Sequence, residues 1–279
     1  MRCQSFAALA ALLRARSGLC IARDKIYLVR ARLEPIAREN GFDSLDALVV
    51  RLHAPDAEPL IACVVEAMTI NETLFFRNGR PFEHLARVAL PLLIATRPPG
   101  QALRIWSAAA STGQEAYSIA MTVADLAPLP GGRRVEIVAS DIAAAPIARA
   151  RAGLYTGFEV QRGLPPALLA RHFRPDGTLW QISAPLRRAV AFRVFNLLDD
   201  PRPLGRFDIV FCRNVLLYFD TETKIRVLAL LRQVMPPDGL LYLGGAETVI
   251  GLGSGFAPLA EEAGIYTCTT SAAPSLALA

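Results

Sequence analysis

Cysteine is scarce in this chain of 279 residues, and it is never paired locally. The five cysteines, Cys3, Cys20, Cys63, Cys212 and Cys268, are odd in number and form no Cys-x-x-Cys motif. That excludes a disulfide framework and a thiolate zinc site, and it reads as reduced thiols. Histidine is rarer still: His53, His84 and His172 share no ligand spacing, so they are expected on the surface or on helix faces, and no metal is expected. Long apolar runs are missing as well. The N-terminus has no uninterrupted apolar stretch, and residues 85–96 are too short to span a bilayer and carry Arg87 and Pro91. The chain is therefore expected in the cytoplasm, without membrane insertion, as a monomer.

What is present is enough for a large core. Hydrophobic residues make up 53% of the chain and charged residues 20%, which fits a globular protein and not a disordered one. The net charge of +5 is concentrated. Residues 1–40 hold eight basic side chains (Arg2, Arg14, Arg16, Arg23, Lys25, Arg30, Arg32, Arg38) against Asp24, Glu34 and Glu39. The remaining residues balance in sum. A basic N-terminal segment suggests an acidic partner.

The first part of the chain reads as helical. Residues 4–16 form one helix, with Gly18 as its stop. Asp24 is positioned to cap a second, whose apolar positions Ile26, Val29, Leu33, Ile36 and Ala37 repeat at helical spacing up to Gly41. Lys25, Arg30, Arg32 and Arg38 lie mostly off that stripe and are expected to face water. Ser44 opens a third helix and Asp56 a fourth. No strand is convincing before residue 100. Residues 69–77, Thr-Ile-Asn-Glu-Thr-Leu-Phe-Phe-Arg, mix functional groups without periodicity, as a linker or part of a site does. An amphipathic helix over 81–96 follows. The expected division is a helical domain over 1–70, a linker and connecting helix over 71–100, and an α/β domain over 101–279.

After residue 100, strands and helices alternate. Strands are expected at 103–107, 135–140, 191–195, 207–212, 240–243 and 266–269, with helices at 115–126, 142–151 and, capped by Asp220 or Thr221, up to about Val234. This predicts a mostly parallel sheet covered on both faces. Residues 155–192 break the rhythm. A turn at Pro175-Asp176-Gly177-Thr178 predicts an inserted hairpin over 173–182. The tail, 270–279, is rich in small residues and is expected to fray.

In a parallel sheet the carboxyl ends of the strands share one edge, where ligands bind. At those ends stand the small-residue loop 107–113 with Glu115, then Asp141, Asn196-Leu197 and Arg213-Asn214. Asp141 suits ribose hydroxyls or a helix cap; Asn196 suits an adenine edge or a turn. The loop has one glycine, Gly113, so it is neither a dinucleotide fingerprint nor a phosphate-binding loop. Glu115 would also repel a pyrophosphate. An acid there favours a cofactor with a cationic end, such as S-adenosylmethionine.

These residues also carry a resemblance. The segments 69–77, 106–121, 139–142, 195–198, 207–219 and 237–241 resemble, in order, the chemotaxis receptor methyltransferase family, CheR. The resemblance implies an S-adenosylmethionine-dependent, Rossmann-like α/β sheet with an N-terminal all-helical domain and a small inserted β-subdomain. It implies cofactor contacts from Asn71, Thr73, Arg77, Glu115, Asp141, Asn196, Leu197, Arg213 and Asn214, with Glu115 on the ammonium, Asp141 on the ribose and Asn196-Leu197 flanking the adenine. It implies that Arg77 and Tyr218 stand nearest the transferred methyl. The reaction implied is methylation of glutamate carboxylates on a methyl-accepting chemoreceptor's cytoplasmic domain, leaving S-adenosylhomocysteine. Lys25, Arg30, Arg32 and Arg38 would then dock an acidic receptor helix.

The chain departs from the family at Gln114, Ala116 and Gly245-Ala246-Glu247, all expected to lie clear of the nine contacts. Its hairpin is short and lacks a glycine-rich pattern, which implies action without docking a receptor's C-terminal pentapeptide. Two rivals compete with this reading. One is a module that binds S-adenosylmethionine or its product as a signal without methyl transfer. The other, a nucleic-acid methyltransferase, is disfavoured because no Asn-Pro-Pro-Tyr, Asp-Pro-Pro-Tyr or Pro-Cys motif occurs.

Overall fold

The structure, a computed structural model, describes residues 1–260 and 262–269. The expected frayed tail at 270–279 lies outside the described residues. Helix α1 (Cys3–Ser17) buries Phe6, Leu9 and Leu13, spaced three and four apart. It packs with α2 (Ile26–Glu39), α3 (Leu45–Arg51) and α4 (Glu58–Met68) around a separate apolar core. Val29, Leu33, Ile36 and Ala37 of the α2 stripe are buried in it. Two expected caps do not form. Asp24 sits inside a single 3-10 turn (Arg23–Lys25), and Asp56 precedes α4 and pairs instead with Arg51 at 2.8 Å. Ser44 does cap α3, accepting from the Ala47 N–H.

Residues 80–96 form a continuous helical rod of α5 (Arg80–His84), one π turn (Leu85–Ala89) and α6 (Leu90–Thr96). The π turn precedes Pro91, which lacks the N–H that regular winding would use. His84, expected on a surface or helix face, is buried with Nδ1 2.8 Å from the Tyr242 hydroxyl.

Beyond it, among the described residues, lies a sheet of seven strands: β1 (Leu103–Ser107), β2 (Val135–Asp141), β6 (Val190–Val194), β7 (Ile209–Phe211), β8 (Leu240–Tyr242), β9 (Phe256–Pro258) and β10 (Ile265–Cys268). Their order is β6-β2-β1-β7-β8-β10-β9, the first five mutually parallel and β10 antiparallel to both its neighbours, β8 and β9. The crossover helices include α7 (Gln114–Asp125), α8 (Ala144–Ala152) and α12 (Thr221–Gln233). Asp220, not Thr221, caps α12. Two apolar clusters flank the sheet, so β1, β2 and β7 are buried on both faces. That is why their sequences read as apolar runs.

The insertion is more than a hairpin. Strands β4 (Phe173–Asp176) and β5 (Leu179–Ile182) pair as expected, but β3 (Leu154–Thr156) adds to β5, and short helices α9 (Gly157–Gln161), α10 (Pro166–His172) and α11 (Ala184–Ala189) frame the sheet. Strands β3 and β9 have three residues each, like β7 and β8, but lack the longer apolar run that marks those two, and so were not expected.

The helical domain is tied to the sheet domain by polar bonds as well as packing. The first turn of α8 has no side-chain cap of its own. Glu66 of α4 supplies one, its two oxygens accepting from Ala144 N at 2.9 Å and Ala145 N at 3.0 Å. Arg14 pairs with Asp220 at 2.5 Å and with Glu222 at 2.8 Å. The Cys20 N–H donates to the Tyr218 carbonyl at 2.9 Å.

Candidate active site

The carboxyl ends of β1, β2, β6 and β7 open into a cavity of about 900 Å³, including its solvent-open mouth. Asn71, Thr73, Arg77, Glu115, Asp141, Asn196, Leu197, Arg213, Asn214 and Tyr218 all line it. Lys25, Arg30, Arg32 and Arg38 do not.

The floor begins where β1 ends. Gly113 turns the chain into α7 at φ 93°, and a Cβ there would fall 2.8 Å from that of Ala150, so only glycine fits. Glu115 then sits on the first turn of α7, 7% exposed. Ser107 Oγ donates to its Oε1 at 2.8 Å and Arg213 Nη1 to its Oε2 at 3.0 Å. Sequence order, 98 residues apart, gave no hint of this buried ion pair. Arg213 also donates from Nη2 to the Arg77 carbonyl at 2.9 Å and to Asn78 Oδ1 at 2.8 Å. Its guanidinium lies 5.9 Å from the Phe82 ring centroid. One arginine thus joins the floor to the linker.

Asp141 closes β2. Its Oδ2 accepts from Ser111 N at 2.8 Å and its Oδ1 from Ala143 N at 3.0 Å. Burial raises its carboxyl above the usual range, and those backbone N–H groups oppose the rise. Each oxygen keeps a lone pair free, so Asp141 can brace its own loop and still accept from a ligand. Ser111 in turn donates from Oγ to the Asn71 carbonyl at 2.8 Å. Ile142, expected to begin the next helix, lies ahead of α8 and lines the cavity.

Asn196 departs from the simplest expectation. Its Nδ2 donates to the Arg16 carbonyl at 2.7 Å, and its Oδ1 accepts from Leu198 N at 3.1 Å. Both ends of the amide are engaged in closing a turn and holding the end of α1. Leu197, 8% exposed, and the half-buried Phe195 give the same wall an apolar surface.

The linker 69–77 is anchored by Phe75, fully buried with ring centroids 5.1 Å from Tyr155 and 5.6 Å from Phe173. The Phe76 N–H donates to Ser118 Oγ at 2.8 Å. Arg77 Nη1 donates to the Glu72 carbonyl at 3.0 Å, which leaves most of its fork available. Opposite stands Tyr218, in a 3-10 turn over Leu216–Tyr218. Burial raises its hydroxyl above the ordinary value, and the nearby Arg77 charge opposes this. The hydroxyl therefore stays protonated at neutral pH.

Among the described residues, four that are not glycine adopt positive φ: Phe76 (49°), Asn78 (71°), Ser111 (49°) and Asn214 (59°). All four lie in the linker or at strand ends around this cavity, where strain of this kind concentrates. Two contributions had no signal in the sequence. Ser17 and Leu19, at the end of α1, line the cavity, so the helical domain forms part of its wall. Glu247 was expected to lie clear of the contact residues, yet its Oε2 accepts from the Asn214 N–H at 2.7 Å.

Of the four basic residues expected to dock an acidic helix, Lys25, Arg30 and Arg38 are exposed. Arg32 is not free to face water. It is half-buried, and its Nη1 donates to the carbonyls of Ala67, Met68 and Thr69 at 3.3, 3.0 and 2.8 Å. It caps α4 and fixes the start of the linker. Among the described residues no cluster suited to a metal ion occurs.

Two family models match the chain. The all-alpha domain of CheR methyltransferase matches residues 4–69, and the SAM-binding domain of CheR methyltransferase matches residues 71–264. The chain is 42% identical over 241 residues to chemotaxis protein methyltransferase Cher2 of Pseudomonas putida, covering 84% of this chain and 86% of that one. It is 42% identical, with the same coverage, to chemotaxis protein methyltransferase 1 of Pseudomonas aeruginosa. It is 36% identical to the chemotaxis protein methyltransferase of Salmonella typhimurium, over 85% of this chain and 81% of that one.

Proposed function

The chain belongs to the CheR methyltransferase family and is an S-adenosylmethionine-dependent methyltransferase, and we propose that it methylates glutamate side-chain carboxylates on the cytoplasmic helices of a chemoreceptor, without docking the receptor's C-terminal pentapeptide. One observation carries this reading: Arg77 and Tyr218 line the same cavity as the two buried acids, Glu115 and Asp141. The cavity suits the cofactor's chemistry. Acids with lone pairs to spare face it at Glu115 and Asp141, and Leu197 and Phe195 give it an apolar wall. Of the two arginines that line it, Arg213 is held by Glu115, and Arg77 keeps donors free for an acceptor carboxylate.

In this reading Glu115 holds the ammonium, Asp141 the ribose hydroxyls, and Leu197 with the backbone at Asn196 flanks the adenine. Asn71, Thr73, Arg213 and Asn214 close the pocket around them. Bound there, S-adenosylmethionine supplies a methyl group on a positively charged sulfur. The acceptor carboxylate is ionised at neutral pH, so no general base is required. The protein's task is alignment and exclusion of water. Arg77 orients the carboxylate with directional hydrogen bonds, and the protonated Tyr218 hydroxyl donates beside it.

Lys25, Arg30 and Arg38 form the docking surface for an acidic helix. Their present partners are loose: Lys25 lies 3.4 Å from Asp24 and Arg30 lies 3.8 Å from Glu34, both exposed. Arg32 is left out because its donors hold the α4 end. The β4–β5 hairpin turns in two residues, Gly177-Thr178, which supports independence from a receptor tail. Among the described residues no helix is long and apolar enough to cross a membrane, and we place the protein in the cytoplasm, acting as a monomer.

Labelled methyl transfer to receptor cytoplasmic fragments tests this proposal. Fragments with and without their C-terminal residues are expected to accept label equally. KM is expected to rise by about tenfold between low and physiological salt, or on replacing Lys25 and Arg38 with glutamate. A strict need for the receptor tail would overturn the docking mode, and salt-independent turnover would overturn the role of the basic helix. No label on either fragment would overturn the choice of substrate.

A further inference from the structure

Glu247 follows β8 in the turn Gly244-Gly245-Ala246-Glu247 and is 9% exposed. Its carboxylate faces four backbone N–H groups. Oε2 accepts from Gly244 N at 2.6 Å and Asn214 N at 2.7 Å; Oε1 accepts from Val215 N at 2.9 Å and Leu217 N at 3.2 Å. Three of the four belong to the segment that runs from β7 to Tyr218. That segment contains the positive-φ residue Asn214 and the single 3-10 turn that carries Tyr218. Packing at the joint is close. A Cβ on Gly244 would fall 2.6 Å from Asn214 Nδ2 and 2.7 Å from Glu247 Oε2.

We propose that Glu247 is a positioning residue for methyl transfer: its carboxylate fixes the Asn214–Tyr218 turn so that Asn214 and Tyr218 face the cavity. The inference rests on the methyl-transfer reading above. Only an ionised carboxylate has lone pairs enough, on two oxygens, for four converging donors. A glutamine keeps one such oxygen and turns an NH₂ group toward the other two N–H groups, so donors meet donors. A buried N–H left without an acceptor is unfavourable, and the turn relieves this by moving. Tyr218 moves with it. Small displacements at a reacting centre have large effects on rate, because alignment is the protein's main contribution here.

The test uses the full chain, with kcat, KM, affinity for S-adenosylhomocysteine and melting temperature measured together. Glu247→Gln is expected to lower kcat per folded molecule by about 10- to 100-fold, with a smaller change in KM for S-adenosylmethionine. Gly244→Ala keeps the carboxylate but crowds both it and the Asn214 amide at the same joint, and is expected to reproduce the kcat loss. A merely structural role predicts a lower melting temperature with wild-type kcat for the folded fraction, and that result would overturn the proposal. If Glu247→Gln does not fold, Gly244→Ala decides; if neither folds, Glu247 is a folding determinant and the proposal fails. The wild-type protein run in parallel separates this from failure of the methyl-transfer reading, which would leave wild type itself unlabelled.

Discussion

Arg213→Ala is expected to lower folding stability by about 3–5 kcal/mol and to abolish measurable binding of S-adenosylhomocysteine. Arg213 is 4% exposed and Glu115 is 7% exposed. Removing the guanidinium leaves the Glu115 carboxylate buried with Ser107 as its remaining side-chain partner. An unpaired charge out of water is far more unfavourable than the pair itself is favourable. The same change releases the linker at the Arg77 carbonyl and at Asn78. Thermal unfolding followed by circular dichroism should show a drop on the order of 10 °C. The double replacement Glu115→Gln with Arg213→Met is expected to recover most of that stability and none of the binding. An Arg213→Ala protein that melts like wild type and still binds S-adenosylhomocysteine would contradict the ion pair's place in both fold and site.

Arg77→Ala is expected to lower kcat by about 10²- to 10³-fold while the affinity for S-adenosylhomocysteine changes much less. Among the described residues the Arg77 side chain makes one hydrogen bond, to the Glu72 carbonyl, and truncation leaves its own carbonyl in place for Arg213, so the fold is disturbed little. What it loses is the group that orients the acceptor carboxylate. A residue needed in the transition state but not for holding the cofactor lowers kcat and kcat/KM together. Arg77→Lys should not restore the rate, since a lysine has the charge without the planar fork. Steady-state kinetics alongside calorimetry separates the cases. Equal losses in kcat and in cofactor-product affinity would instead make Arg77 a cofactor ligand alone.

The sequence was most legible where topology and chemistry coincide. Strands β1, β2 and β7 are buried on both faces, so they stood out as apolar runs, and the polar residues just past them had to meet at one edge of the sheet. Glu115, Asp141, Asn214 and Tyr218 were singled out this way or through the family resemblance that the same segments carry, and all four line one cavity. The pairings among such residues left no trace. The Glu115–Arg213 bond, the Asn196–Arg16 bond and the four donors around Glu247 join positions far apart in the chain, and neither spacing nor periodicity encodes them. Arg32 looked like a surface residue because its helical face is polar; its partners are carbonyls at the end of α4, which a side-chain pattern cannot register. The β3 and β9 strands were missed because three residues hold little more than one period of a strand and, unlike β7 and β8, neither lies in a longer apolar run.

The chemistry of the acceptor decides the proposed function, and the base lability of the transferred label reads it. A receptor cytoplasmic fragment is incubated with the protein and methyl-labelled S-adenosylmethionine, then treated with mild base. A glutamate methyl ester hydrolyses under those conditions, so the label is expected to leave the protein as volatile methanol. Label that stays on the fragment through base treatment would mean transfer to nitrogen, sulfur or another stable acceptor, and would contradict the proposed function.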